Sequence, residues 1–168
     1  MTAGYFKDTY FVLHPKLYRV AFAILRNEAD AEDILQDAYC KLWDERNKLV
    51  DIQKPEAYCV IIIRNLCMDF LRAHQTKRLF DDIEPYDLPD PADNAETDVI
   101  NRETIEKVKD TIRRLPEKQQ RVLDLRAFAG CSSEEIEQIT GESSKNVRVL
   151  LSRARNTLKI KLKHLLYD

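Results

Sequence analysis

Glycine is scarce in this chain, with 3 residues among 168, against 6 prolines. A turn-rich sandwich or barrel, or a glycine-rich nucleotide fold, needs more, so helices are the expectation. The four cysteines, Cys40, Cys59, Cys67 and Cys131, form no CxxC pair, and His14, His74 and His164 stand apart. No zinc site or redox motif can be assembled locally, and no metal or other cofactor is expected. The N-terminus lacks the form of a secretory signal, so reduced thiols in a cytoplasmic protein are expected. The longest apolar run, Ala57 to Ile63, is seven residues, whereas a bilayer span takes about 20. No membrane insertion is expected.

Charged residues make up 33% of the chain and hydrophobic residues 44%, which excludes both a membrane protein and a disordered tail. The net charge of −2 is unevenly spread: −1 over residues 1–75, −6 over 76–103 and +5 over 104–168. The middle segment contains Asp81-Asp82-Ile83-Glu84-Pro85-Tyr86-Asp87-Leu88-Pro89-Asp90-Pro91, acidic and proline-broken, which is poor material for a helix or a core. The expected organisation is all-α. Two small helical domains, 1–75 and 104–168, are joined by an acidic, proline-containing flexible linker over 76–103. Domains this small have thin cores, so a stabilising partner would be no surprise.

In the first domain, Leu17, Val20, Ala21, Ile24 and Leu25 fall on one face of a helix. Asn27 is placed to cap the next helix, with Glu28, Asp30, Glu32 and Asp33 near the positive end of its dipole. That helix has an apolar stripe of Ala31, Ile34, Leu35, Ala38, Tyr39 and Leu42, and shows Asp33, Gln36, Asp37 and Lys41 on the other face. Pro55 opens a third helix through Leu71. Its β-branched run, Val60 to Ile63, could pass for a strand, but the good helix formers that follow without a turn signal favour a buried helix.

The strongest constellation is C-terminal. Leu115-Pro116-Glu117 starts a helix expected to run to about Ala129, ended by Gly130. Ser132-Ser133-Glu134-Glu135 reads as a capping box for a short helix that buries Ile136 and Ile139. Gly141 ends that helix, and Ser143-Ser144 caps another that buries Val147, Leu150, Leu151, Ala154 and Leu158. A short helix, a glycine-containing turn and a second helix make a helix-turn-helix. From Ser144 to His164 there are seven Lys or Arg and no Asp or Glu. A solvated helix normally mixes signs, because opposite charges at i, i+4 support one another. A helix of one sign repels itself unless a polyanion relieves it, which favours DNA binding over a solvated basic face.

Two stretches together resemble the extracytoplasmic-function (ECF) group of bacterial RNA polymerase sigma factors over nearly the whole chain. The first is Asp30-Ala31-Glu32-Asp33-Ile34-Leu35-Gln36-Asp37-Ala38-Tyr39 with Leu42-Trp43, followed by Arg64-Asn65-Leu66-Cys67-Met68-Asp69-Phe70-Leu71-Arg72. The second is Leu115-Pro116-Glu117, Gln120-Arg121-Val122 and Leu125-Arg126, continuing through Glu135-Ile136, Val147 and Ser152-Arg153-Ala154-Arg155. The resemblance implies a transcription-initiation protein with no catalytic site, whose partners are the clamp and flap regions of core RNA polymerase and promoter DNA. A membrane-bound anti-sigma factor is a further candidate partner in this family.

By the same resemblance, Asp33, Gln36, Asp37 and Lys41 dock on the clamp of the largest polymerase subunit. The third helix and the preceding loop, Asn47–Pro55, melt the −10 element and hold a flipped base. An unstacked base needs aromatic or amide groups and its backbone needs cations, which singles out Lys54, Tyr58, Arg64, Asn65 and Arg72. For the −35 element, Lys145, Asn146, Arg148, Val149 and Ser152 are placed to reach base edges or phosphates, while Arg153 and Arg155 hold phosphates. Three residues depart from the family pattern. Tyr58 stands where tryptophan is frequent, Ile61 where a basic residue is common, and Glu137 where a small residue lets the helices of the turn approach.

Two other readings compete. A stand-alone helix-turn-helix regulator would bind palindromic duplex sites without polymerase; the paired motifs of the first domain speak against it. An enzyme using Asp30, Glu32, Asp33 and Asp37 has no His or Cys to join them, and helix capping already accounts for the first-turn acids.

Overall fold

A computed structural model describes residues 1–74 and 99–166. The expected linker lies largely outside the described residues, and α5 runs from Val99 to Arg113. Before it come α1 (Ala3–Thr9), α2 (His14–Leu25), α3 (Glu28–Asp44) and α4 (Pro55–Ala73). After it come α6 (Glu117–Leu123), α7 (Ser133–Thr140) and α8 (Ser144–Leu166). Single 3₁₀ turns at Phe11–Leu13 and Leu49–Asp51 join α1 to α2 and lead towards α4. Every regular element among the described residues is helical.

The first domain is built on α2, which packs against both α3 and α4. Its spaced apolar residues Leu17, Val20, Ala21, Ile24 and Leu25 are all buried, as the 3.6-residue period requires. Arg26 ends the helix in the left-handed conformation at φ 53°, unusual for a residue with a Cβ. Asn27 then caps α3, its side-chain oxygen accepting from the Asp30 N–H at 2.9 Å. Ala31, Ile34, Leu35, Ala38 and Leu42 of α3 are buried. Tyr39 is only half-buried, because its ring lies at the rim, stacked on Phe11 at 4.9 Å and His14 at 5.8 Å. The run Cys59 to Ile63 is helical, with all but Ile61 buried.

In the second domain α6 packs across α8, and α7 packs against α8. The Ser132 capping box forms in both directions, and Gly130 and Gly141 take the left-handed conformation, at φ 68° and 74°, that a side chain would strain. One expectation is corrected here. The α-helix from Glu117 stops at Leu123, and Asp124–Phe128 form a π turn, with Ala129 N–H donating to the Asp124 carbonyl five residues back at 3.0 Å. Leu158 is also half-buried rather than buried, because the core along α8 ends at Ala154.

The cap at Asn27 yields a quantitative expectation. Asn27→Ala should destabilise the chain by about 1 kcal/mol, since it removes the acceptor for a free α3 N–H. Urea unfolding followed by circular dichroism measures it.

Candidate nucleic-acid interface

The polar face of α3 emerges as expected: Asp33, Gln36, Asp37 and Lys41 are all exposed and make no ion pair among the described residues. The buried stripe of the same helix lies opposite, so these four side chains are free to meet a partner.

Along α4, Tyr58, Asn65 and Arg72 recur at intervals of seven residues, which places them on one stripe about 21 Å long, and Lys54 stands just before the helix at its N-terminal cap. Lys54, Asn65 and Arg72 are exposed, and Tyr58 is half-buried against the core. Arg72 pairs with Asp69. Arg64 turns to the neighbouring stripe, half-buried, and donates to the Asn65 side-chain oxygen at 3.1 Å.

On α8, Lys145, Arg148, Ser152 and Arg155 are spaced by three, four and three residues and are all exposed on one stripe. Arg153 is exposed at its flank. Two expected readers sit back from this stripe. Val149 is half-buried, and Asn146 is held by the turn, its amide donating to the Glu142 carboxylate. Glu142 also accepts from Lys118 at 2.8 Å, and the Lys118 and Asn146 hydrogen bonds hold its carboxyl below the usual range. Glu137 is half-buried in α7.

The two domains meet. Lys16 of α2 pairs with Glu56 at the start of α4 and with Glu135 of α7, the latter at 3.2 Å. Arg26 reaches Asp124 at 3.7 Å, and the Arg19 guanidinium stands 5.8 Å from the Phe128 ring centre. Asp124 is 4% exposed, and burial pushes its carboxyl up to about 7, with Arg26 opposing the shift without overcoming it. Helix α4 packs on α7, and Val60, Ile61, Arg64 and Asn65 share a cavity of about 300 Å³ with Gln138 and Ile139. Residue spacing held part of the signal for these contacts: Lys16 and Arg19 lie on one stripe of α2, with Arg26 at its C-terminal cap, and Asp124 interrupts the apolar run Val122-Leu123-Leu125. Burial also pushes the Cys59 and Cys131 thiols up to about 12, which keeps them protonated.

Comparison with known proteins decides the family. A family model described as Sigma-70 region 2 matches residues 11–77, and one described as Sigma-70, region 4 matches residues 105–158. The chain belongs to the ECF group of sigma factors. It is 28% identical to RNA polymerase sigma factor SigZ of Bacillus subtilis over 153 residues, covering 91% of this chain and 84% of that one. It is 28% identical to SigV of the same organism over 145 residues, 86% of this chain and 83% of that one. Two solved structures share the fold. The sigma factor RpoE, solved with the anti-sigma factor NepR from Bartonella quintana, aligns at TM-score 0.64 and 23% identity over 96% of this chain and 98% of its own. CnrH, solved with the cytosolic domain of CnrY, aligns at TM-score 0.57 and 21% identity over 97% of this chain and 90% of its own. This sigma factor is thus a transcription-initiation protein of a family that works without catalysis. No helix among the described residues is long and apolar enough to cross a membrane.

The buried carboxyl has a measurable consequence. A carboxyl raised from 3.8 to about 7 binds its proton more tightly in the folded chain. Its contribution to stability is therefore full below pH 3.8 and lost as pH rises through about 7. Asp124→Asn, neutral throughout, should raise Tm at pH 8, with the gain shrinking to nothing by about pH 4. Thermal melts across that range test it.

Proposed function

We propose that this sigma factor binds core RNA polymerase and directs it to promoters read at two elements. Asp33, Gln36, Asp37 and Lys41 form the contact with the clamp of the largest subunit, and the second domain meets the flap. Lys145, Arg148 and Ser152 of α8 face the −35 bases, with Asn146 and Val149 beside them and Arg153 and Arg155 on phosphates. Lys54, Tyr58, Arg64, Asn65 and Arg72 of α4 and its leading loop take the opened −10 strand. The observation that carries this reading is the exposed, single-sign stripe of α8, held at the end of a glycine-closed turn. The long α4 stripe supports the second contact, since a track rather than a point suits an extended strand. A cytoplasmic location and control by an anti-sigma factor, membrane-bound or not, complete the proposal. Two proteins of the same fold were solved with partners, RpoE with the anti-sigma factor NepR and CnrH with CnrY.

Run-off transcription from a randomised promoter library, with core polymerase alone and with this chain, tests the whole reading. Sequence-selective transcripts that depend on the chain are expected. Duplex binding without any response from a matched core polymerase would replace it with the stand-alone regulator.

Two substitutions divide the proposal. Asp37→Lys should abolish binding to core polymerase and leave the circular dichroism spectrum unchanged, because the side chain is exposed. Arg148→Ala should weaken promoter binding by about 1–3 kcal/mol if the guanidinium grips a base edge. Equal weakening on scrambled −35 sequences would move it to a phosphate.

A further inference from the structure

Helix α3 has an aromatic edge beside its polar stripe. Gln36, Tyr39 and Trp43 are spaced by three and four residues and so share one side of the helix, and Gln36 in turn neighbours Asp33 and Asp37. Phe11, on the 3₁₀ turn before α2, stacks on the Tyr39 ring at 4.9 Å, and His14 lies 5.8 Å from both rings, nearly parallel to each. One turn further along α3, Phe6 meets Trp43 edge-on at 5.1 Å, and the Arg46 guanidinium stands 4.6 Å from the Trp43 ring centre. Every ring of this ledge is thus held from within the first domain, yet much of its surface stays in water. Phe11 is 52% exposed and Trp43 37%, and His14 is exposed as well. A lone exposed apolar side chain needs no explanation. A row of rings stacked in place and left wet marks a surface ready for a partner.

We infer that this ledge is the apolar anchor of the contact with core RNA polymerase, with Phe11 at its centre and the polar stripe of α3 as its rim. The inference rests on the reading of Asp33, Gln36, Asp37 and Lys41 as the docking stripe. The occupant follows from continuity: a partner lying along that stripe covers Gln36 and reaches Tyr39, one turn on, and with it the Phe11 ring stacked there. Exposed charges such as Asp33 and Asp37 steer and orient a partner but add little affinity, since each is well solvated before binding. Affinity at interfaces comes chiefly from a few aromatic side chains that lose their water at the centre of the contact. Rings already fixed by their neighbours give up little freedom on binding, which favours them further. The matching surface on the polymerase is apolar and flanked by cations, because Glu32, Asp33, Asp37 and Asp44 are all exposed around the ledge.

The test truncates the anchor and measures binding of the full chain to core polymerase. Phe11→Ala should weaken binding about thirtyfold, the loss typical of a central aromatic anchor, while Phe11→Leu, which keeps most of the apolar surface, should recover much of it. The loss should be the same at low and high salt, because burial of apolar surface is not screened as exposed charges are. Thermal melts confirm that both variants fold. Hydroxyl-radical footprinting of the unaltered chain gives a second readout that needs no variant: Phe11, His14 and Tyr39 should be oxidised in the free protein and protected in the complex with core. Phe11→Ala binding core as tightly as the unaltered chain, or a ledge oxidised equally in the complex, overturns the inference. So does a Phe11→Ala effect confined to self-association of the free chain, which would assign the ledge to a second copy. The docking reading fails separately, through normal core binding by Asp37→Lys.

Discussion

Helix α2 is the constraint on which the rest of the molecule depends, because both of its long faces are committed. One face, Leu17 to Leu25, is the centre of the first domain and is what α3 and α4 pack upon. The other face offers Lys16 and Arg19 to the second domain, and Arg26 at the C-terminal cap adds a third cation. A domain of about 75 residues has little core to spare, and placing α2 at its middle lets one helix organise two interfaces. The orientation of α3 follows directly, since Arg26 turns the chain in the left-handed conformation and Asn27 caps the next helix at once. With α3 fixed, its acidic stripe points away from the core, and with α4 fixed, its long stripe runs alongside.

Charge is distributed by purpose across the chain. Where the domains meet, cations stand opposite carboxylates, one of them buried deeply enough to resist ionisation. On α8 no carboxylate answers the cations within the helix, and the acid nearest its start, Glu142, is occupied by Lys118 and Asn146. Paired charges suit contacts the chain makes with itself. Unpaired cations suit a partner that brings its own anions, as a phosphate backbone does.

Much of this was legible in the sequence because it depends on local spacing. The buried stripes of α2 and α3, the Asn27 cap, the Ser132 box and the turns at Gly130 and Gly141 each follow from residues within a few positions of one another. The candidate site residues follow from a resemblance and from residue type, and the structure adds which of them share a stripe. The illegible parts are those without a local signature. The π turn at Asp124–Phe128 has no pattern that separates it from an ordinary helix. Tyr39 and Leu158 carry apolar spacing yet lie where the core ends, which periodicity does not mark. The ion pairs of Lys16 with Glu135 and Arg26 with Asp124 join residues about a hundred positions apart, and spacing shows only that each side has something to offer.

The central claim is that α2 organises both domains of the free chain, and Lys16 reports on it, because it pairs with Glu56 inside the first domain and with Glu135 across the joint. A carbodiimide, which turns a touching lysine and carboxylate into an amide without a spacer, should join Lys16 to both, and peptide mass spectrometry of the free protein should find the Lys16–Glu56 and Lys16–Glu135 links together. A Lys16–Glu56 link with no Lys16–Glu135 link would contradict the account.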